Sequence, residues 1–205
     1  MLTQLISRIR GFRGREEGSM TLEALIFIPL LISTLAATFA FQQMFHYRTL
    51  NTKAAYTITD ALSRETEAID AEYIDGMLEL MSYLTHSAGP YSLRVSVVRY
   101  EAASTMTDEE GNEVIVPASL SVDWSKVRGD YAELNDSTVS SIAGRLPNML
   151  DNERIIVVET GTDYVPPFPL QDLDLNRHFQ NLVFTRPRFA PQLVYEEPED
   201  GGSTS

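Results

Sequence analysis

Residues 13–48 read RGREEGSMTLEALIFIPLLISTLAATFAFQQMFHYR, and this stretch decides the fold. Between Glu23 and Arg48 stands no acidic or basic side chain, only His46. The apolar core, residues 22–41, is about 20 residues, which as a helix spans roughly 30 Å, the thickness of a bilayer's hydrocarbon. Arg8, Arg10, Arg13 and Arg15 precede the run, and acids dominate after it. The excess of arginine on one side places the N-terminus in the cytoplasm. Everything after about residue 45 then lies outside it, in a single-pass topology.

Glu23 needs a use. A central acid in a membrane helix costs about 2.5–3.5 kcal/mol, less near the interface. Gly18 stands five residues before it, with arginines just upstream. A secretory signal would have a shorter core and an A-x-A-like site. Here the run is longer, and no two of Ala36, Ala37 and Ala40 stand two apart. A plain uncleaved anchor, with Gly18 and Glu23 incidental, stays open on these residues.

Gly18-Ser19-Met20-Thr21-Leu22-Glu23 resembles the prepilin processing motif. The resemblance implies cleavage after Gly18 by a membrane prepilin peptidase, with Ser19 as the new N-terminus and Glu23 fifth in the mature chain. Leu22-Glu23-Ala24-Leu25-Ile26-Phe27-Ile28-Pro29 is similar to the start of TadE-like pseudopilins of the tight-adherence (Tad, or Flp) pilus system. Two residues depart from the pattern. Ala24 stands where many members have an aromatic. Ser19 stands where type II secretion pseudopilins and type IVa pilins have Phe, which argues against those branches. The resemblance implies an α+β fold: a transmembrane helix extended into the periplasm and packed on a small antiparallel sheet. It implies as partners the prepilin peptidase, other pilins or pseudopilins, and the pilus assembly platform. The location implied is the bacterial inner membrane with a periplasmic C-terminal domain, and incorporation into an extracellular pilus follows if the chain co-assembles.

Within the apolar run Pro29 removes a backbone donor and predicts a mild kink. Ser33 and Ala37, and Ala36 and Ala40, are spaced for close helix approach in lipid. The expected division is a leader 1–18, a transmembrane and extended helix 19–65, an α+β domain 66–195 and a disordered acidic tail 196–205.

Helical periodicity continues past the membrane through Tyr47, Leu50, Ala54, Ile58 and Leu62. It resumes at Ile69, Tyr73, Met77, Leu80 and Leu84 after a break near 65–70, with Asp70 as cap. Gly89-Pro90 closes the segment. Residues 91–100 then alternate with period two, as a strand. Residues 113–124 form its hairpin partner, with Val114, Val116, Leu120, Val122 and Trp124 on one side and Pro117 marking a bulge or an edge. Asp123, Lys126, Arg128 and Asp130 read as a loop. Residues 137–150 read as a helix, with Pro147 shortening it. Residues 155–160 are the strongest strand, running on through Tyr164, and residues 182–189 are the last. The passage at Tyr164 and the later Arg186-Pro187-Arg188 are again similar to TadE-like sequences, more loosely.

Composition narrows the function. The chain has 205 residues, no cysteine and a formal net charge of −13. Nucleic-acid binding needs Lys and Arg at phosphates, so no nucleic-acid partner is expected; membrane lipid is. Disulfide and thiol chemistry are absent. His46, His86 and His178 are isolated in sequence, and no metal or cofactor is expected. Residues 108–113 are acidic but lack the alternation of a calcium loop, and read as a solvated hairpin tip. No nucleophile elbow or phosphate loop is present, so no enzyme is expected. The rival to the pilin reading is an uncleaved single-pass protein whose periplasmic domain binds a ligand or an envelope partner.

Overall fold

With no charge or glycine between Glu23 and Arg48, nothing but Pro29 interrupts helix formation in the apolar run. The helix α1 spans Glu17–Arg64, 48 residues, with Pro29 inside it. The computed structural model describes residues 17–86, 89–107, 113–164 and 177–197. The leader residues 1–16, most of the hairpin tip and the tail beyond residue 197 lie outside the described residues. The chain divides into two units, the second beginning at His46.

In the second unit α1 ends at Arg64 and α2 spans Ala71–Thr85. The cap is the expected one: Asp70 has extended backbone, and its carboxylate accepts the Tyr73 N–H at 2.8 Å. Four strands follow in one antiparallel sheet: β1 (Tyr91–Glu101), β4 (Ser119–Arg128), β5 (Arg154–Tyr164) and β6 (Arg177–Thr185). Their order is β4-β1-β5-β6, so the two most apolar strands, β1 and β5, take the centre. The short strands β2 (Ser104–Thr107) and β3 (Glu113–Val116) pair as a separate ribbon.

Period two puts Leu93, Val95 and Val97 of β1 and Ile156 and Val158 of β5 on one face of the sheet. There they pack with Ala54, Ile58 and Leu62 of α1 and with Ile74 and Met81 of α2. Each fully buried Ile or Leu stabilises the fold by about 1.5–3 kcal/mol. The opposite face carries Val98, Ile155 and Val157 under Leu134, Val139 and Ile142. That face also holds a charge pair: Arg94 Nε donates to Glu159 Oε2 at 2.6 Å, and Arg94 Nη1 donates to the Ala132 carbonyl at 2.8 Å. The Arg94 guanidinium sits 5.2 Å from the Tyr131 ring centroid.

The buried stripe of α1 is wider than expected. Asn51, Ala55, Thr59 and Ser63 are buried beside the 54/58/62 row. Asn51 Nδ2 reaches the Phe179 carbonyl of β6 at 3.2 Å. The C-terminal segment closes the same face: Ile69 N–H donates to Val194 O and Glu196 N–H to Ile69 O, both at 2.9 Å, and Leu193 is buried.

Five local expectations are corrected. The hairpin is split, with Pro117 in the gap between β3 and β4. The register shifts at Val97/Val98, which face Trp124 and Val122, leaving Asp123 as the extra residue of a bulge. A one-residue slip reverses faces. Trp124 therefore joins the helix-side cluster, while Leu120 and Val122 join the other. The supposed loop at Asp123, Lys126 and Arg128 is strand: charged side chains are tolerated because β4 is an edge. Arg128 pairs with Asp75, and Lys126 with Glu197.

Residues 137–150 form two 3-10 turns, Val139–Ser141 and Ala143–Arg145, rather than an α-helix. Asn135 Oδ1 accepts from Ser137 N, Thr138 N and both of their hydroxyls, which competes with a helical start. Gly144 and Pro147 then deny it a ladder. The last strand lies earlier than expected and stops at Thr185, two residues before Pro187.

Candidate functional site

The first unit is the apolar stretch of α1. Its side chains face outward: Leu25 is 70% exposed, Ile26 67% and Leu31 61%. Only 6% of its most apolar window is buried, which sets it apart from a core helix. Among the described residues it is the one helix long and apolar enough to cross a membrane. It lies near the N-terminus, as read from the sequence.

Three hydroxyls of this stretch are bonded back to their own helix. Ser33 Oγ and Thr34 Oγ1 both donate to the Leu30 carbonyl, at 2.9 and 2.8 Å, and Thr38 Oγ1 donates to Thr34 O at 2.8 Å. Hydroxyls bonded back to their own helix carry no unsatisfied donor into hydrocarbon. An apolar notch of about 240 Å³, lined by Phe27, Ile28, Leu30, Leu31 and Thr34, lies beside Pro29.

The sequence-derived site residues fall on this helix. Gly18 and Ser19 are helical backbone positions near the first described residue. Glu23 is exposed on the same helix. Ser19 and Glu23 are four positions apart, about 6 Å along the helix axis. Ser33 is exposed, Ala36 and Ala37 are half-buried, and Ala40 is buried.

In the second unit, no group of three potential metal ligands occurs among the described residues. The calcium-type reading of residues 108–113 falls almost wholly outside them. His46 and His86 are exposed. His178 is not isolated in space: its Nδ1 lies 2.5 Å from Asp163 Oδ1, across the β5–β6 pair. Gly161 sits beside it. A Cβ there would come within 3.0 Å of the Tyr131 hydroxyl and 3.2 Å of the His178 ring. Burial and the Glu159 carboxylate push the Tyr131 phenol up to about 12. Burial and a hydrogen bond to Glu65 raise the Tyr73 phenol as well.

Sequence reasoning missed a polar groove of about 510 Å³ beside β4. Its lining comes from β4, the loop at Glu133, the start of β5 and residues 192–197. Nothing local in the sequence joins these segments. The nearest signal is Trp124, the chain's one tryptophan, set between charged residues. No known family model, no curated protein and no solved structure matches this chain.

Proposed function

We infer that the chain is a minor pilin or pseudopilin of a Tad-type pilus system, cleaved after Gly18 and held in the inner membrane by α1. The observation that carries this reading is the make-up of one continuous helix. α1 bears Gly18 and Glu23, then an exposed apolar stretch, then the buried row Ala54, Ile58 and Leu62. A helix that anchors in lipid at one end and supplies core residues to a small antiparallel sheet at the other is what a pilin-like subunit requires.

The mechanism is one of charge burial. Cleavage would leave an α-amine on Ser19, positive near neutral pH. In an assembly, Glu23 of one subunit would meet the amine of a neighbour. Pairing offsets the cost of holding either charge alone in apolar surroundings, and sets the axial stagger between subunits. The partners are then the prepilin peptidase, other pilins and the assembly platform, and the acidic outer domain lies in the periplasm.

Gly18→Leu should block processing. Glu23→Gln should leave the outer domain folded and weaken co-assembly with the host's pilins, read by cross-linking and pulldown from membranes. Normal processing of the first variant and normal assembly of the second would overturn the reading.

A further inference from the structure

The groove beside β4 belongs to no part of the anchoring helix, and its volume of about 510 Å³ lies in the range of small-molecule sites. We propose that it is a binding site for a neutral saccharide.

One wall is aromatic. The Trp124 and Tyr195 rings are half-buried with centroids 5.6 Å apart, and Trp124 Nε1 is fixed by the Leu193 carbonyl at 2.9 Å. The indole is therefore held rigidly, with its donor already used, and offers apolar surface rather than a hydrogen bond.

Four of the five charges of the groove are paired with one another. Lys126 Nζ lies 2.5 Å from Glu197 Oε1 and 4.5 Å above the Tyr195 ring. Arg154 Nε lies 2.7 Å from Asp123 Oδ2. Two cations face three carboxylates, the third being Glu133. An anion such as phosphate would have to break a pair and approach the Glu133 carboxylate. A simple cation would meet Lys126 and Arg154.

What remains unspent is hydrogen-bonding capacity, and the one carboxylate in excess, Glu133, interacts electrostatically with Lys126. The terminal nitrogens of Arg154, the Gln192 amide, the Glu133 carboxylate and the Tyr195 hydroxyl have no hydrogen-bond partner among the described residues. Guanidinium, amide and carboxylate groups each present two polar atoms in a plane, the geometry that matches adjacent hydroxyls. An aromatic wall beside such groups suits a sugar ring, with its apolar C–H face and its rim of hydroxyls.

The chain itself supplies the probe. Trp124 is the one tryptophan, so indole emission of the full-length protein reports on this groove alone. The protein is held in a polyoxyethylene detergent, since glycosidic detergents would compete. Glucose, galactose, N-acetylglucosamine and their dimers are titrated, with inorganic phosphate and alanylalanine as charged comparators. At least one neutral sugar should give a saturable change with Kd of about 1 mM, weakened roughly tenfold by Gln192→Ala and by Glu133→Gln. Tyr56→Ala, on the exposed face of α1, should leave it unchanged. A purely linear response to every sugar overturns the proposal. So does equal saturation by phosphate or by the dipeptide, or a sugar response that Gln192→Ala and Glu133→Gln leave intact.

Discussion

Replacing Arg94 by Met tests how the far face of the sheet is held together. Arg94 and Glu159 face each other across β1 and β5, with side chains 13% and 9% exposed. Arg94 also spends a hydrogen bond on Ala132 O and covers Tyr131, so one side chain ties the central strands to the loop above them. Methionine keeps much of the stem's packing but leaves the Glu159 carboxylate buried with no cation. Removing one partner of a buried pair costs about 3–5 kcal/mol, whereas replacing both with apolar groups is often close to neutral. With a urea slope of about 2 kcal/mol/M, the midpoint should fall by roughly 1.5–2.5 M. The assay is urea unfolding of the detergent-solubilised chain, followed by far-UV circular dichroism and Trp124 emission. The double variant Arg94→Met/Glu159→Leu should recover most of the loss, a coupling of about 2 kcal/mol or more. A single variant costing under about 1 kcal/mol, or a double variant no better than the single, would mean that the Arg94–Glu159 pair does not hold this face together.

Three further outcomes follow from the same structure. Ile58→Ala, at a fully buried position between α1 and the sheet, should cost about 2–5 kcal/mol in urea unfolding, while Tyr56→Ala, 61% exposed, should stay within about 0.5. Gly129→Ala should cost about 3 kcal/mol or more: Gly129 has φ +85°, and a Cβ there would lie 2.8 Å from Ser92 Cα and closer still to Tyr91 O. Acid should destabilise the domain. The hydrogen bond from Arg128 holds Asp75 below its usual 3.8, and those from Arg186 and the Leu150 N–H hold Glu153 below its usual 4.5. The unfolded chain then binds the extra protons, so this stability is present above those ordinary values and is lost as pH falls through the lower folded ones. The urea midpoint should be flat above about pH 5 and drop below it, with Arg186→Gln showing the shallower drop.

Much of this architecture was legible where a single physical rule dominates. The absence of charge between Glu23 and Arg48 is enough to place the long exposed helix. The acid side chain of Asp70, three residues before Tyr73, is enough to place the start of α2. The run Ile155–Val158 marks the strongest strand because four consecutive β-branched residues suit the pleated backbone better than a helix. Legibility ends where side chains compete with the backbone or where distant segments meet. Asn135 collects four local donors and turns an apparently periodic stretch into 3-10 turns. Asp123 bulges from β4 and reverses the face of Trp124, which no alternation pattern reports. Lys126 and Arg128 look like loop residues until their partners, Glu197 and Asp75, are brought beside an edge strand. The groove is the extreme case, since Glu133, Arg154 and Gln192 converge only after the sheet and the C-terminal segment have packed.

A pilin differs from a plain anchor at the bond between Gly18 and Ser19. Its most direct test is the intact mass and N-terminal sequence of the membrane-extracted protein, expressed with and without its host's prepilin peptidase. A chain processed as a pilin should begin at Ser19 only when the peptidase is present. A terminus at Met1 under both conditions would contradict it and leave α1 as an uncleaved anchor.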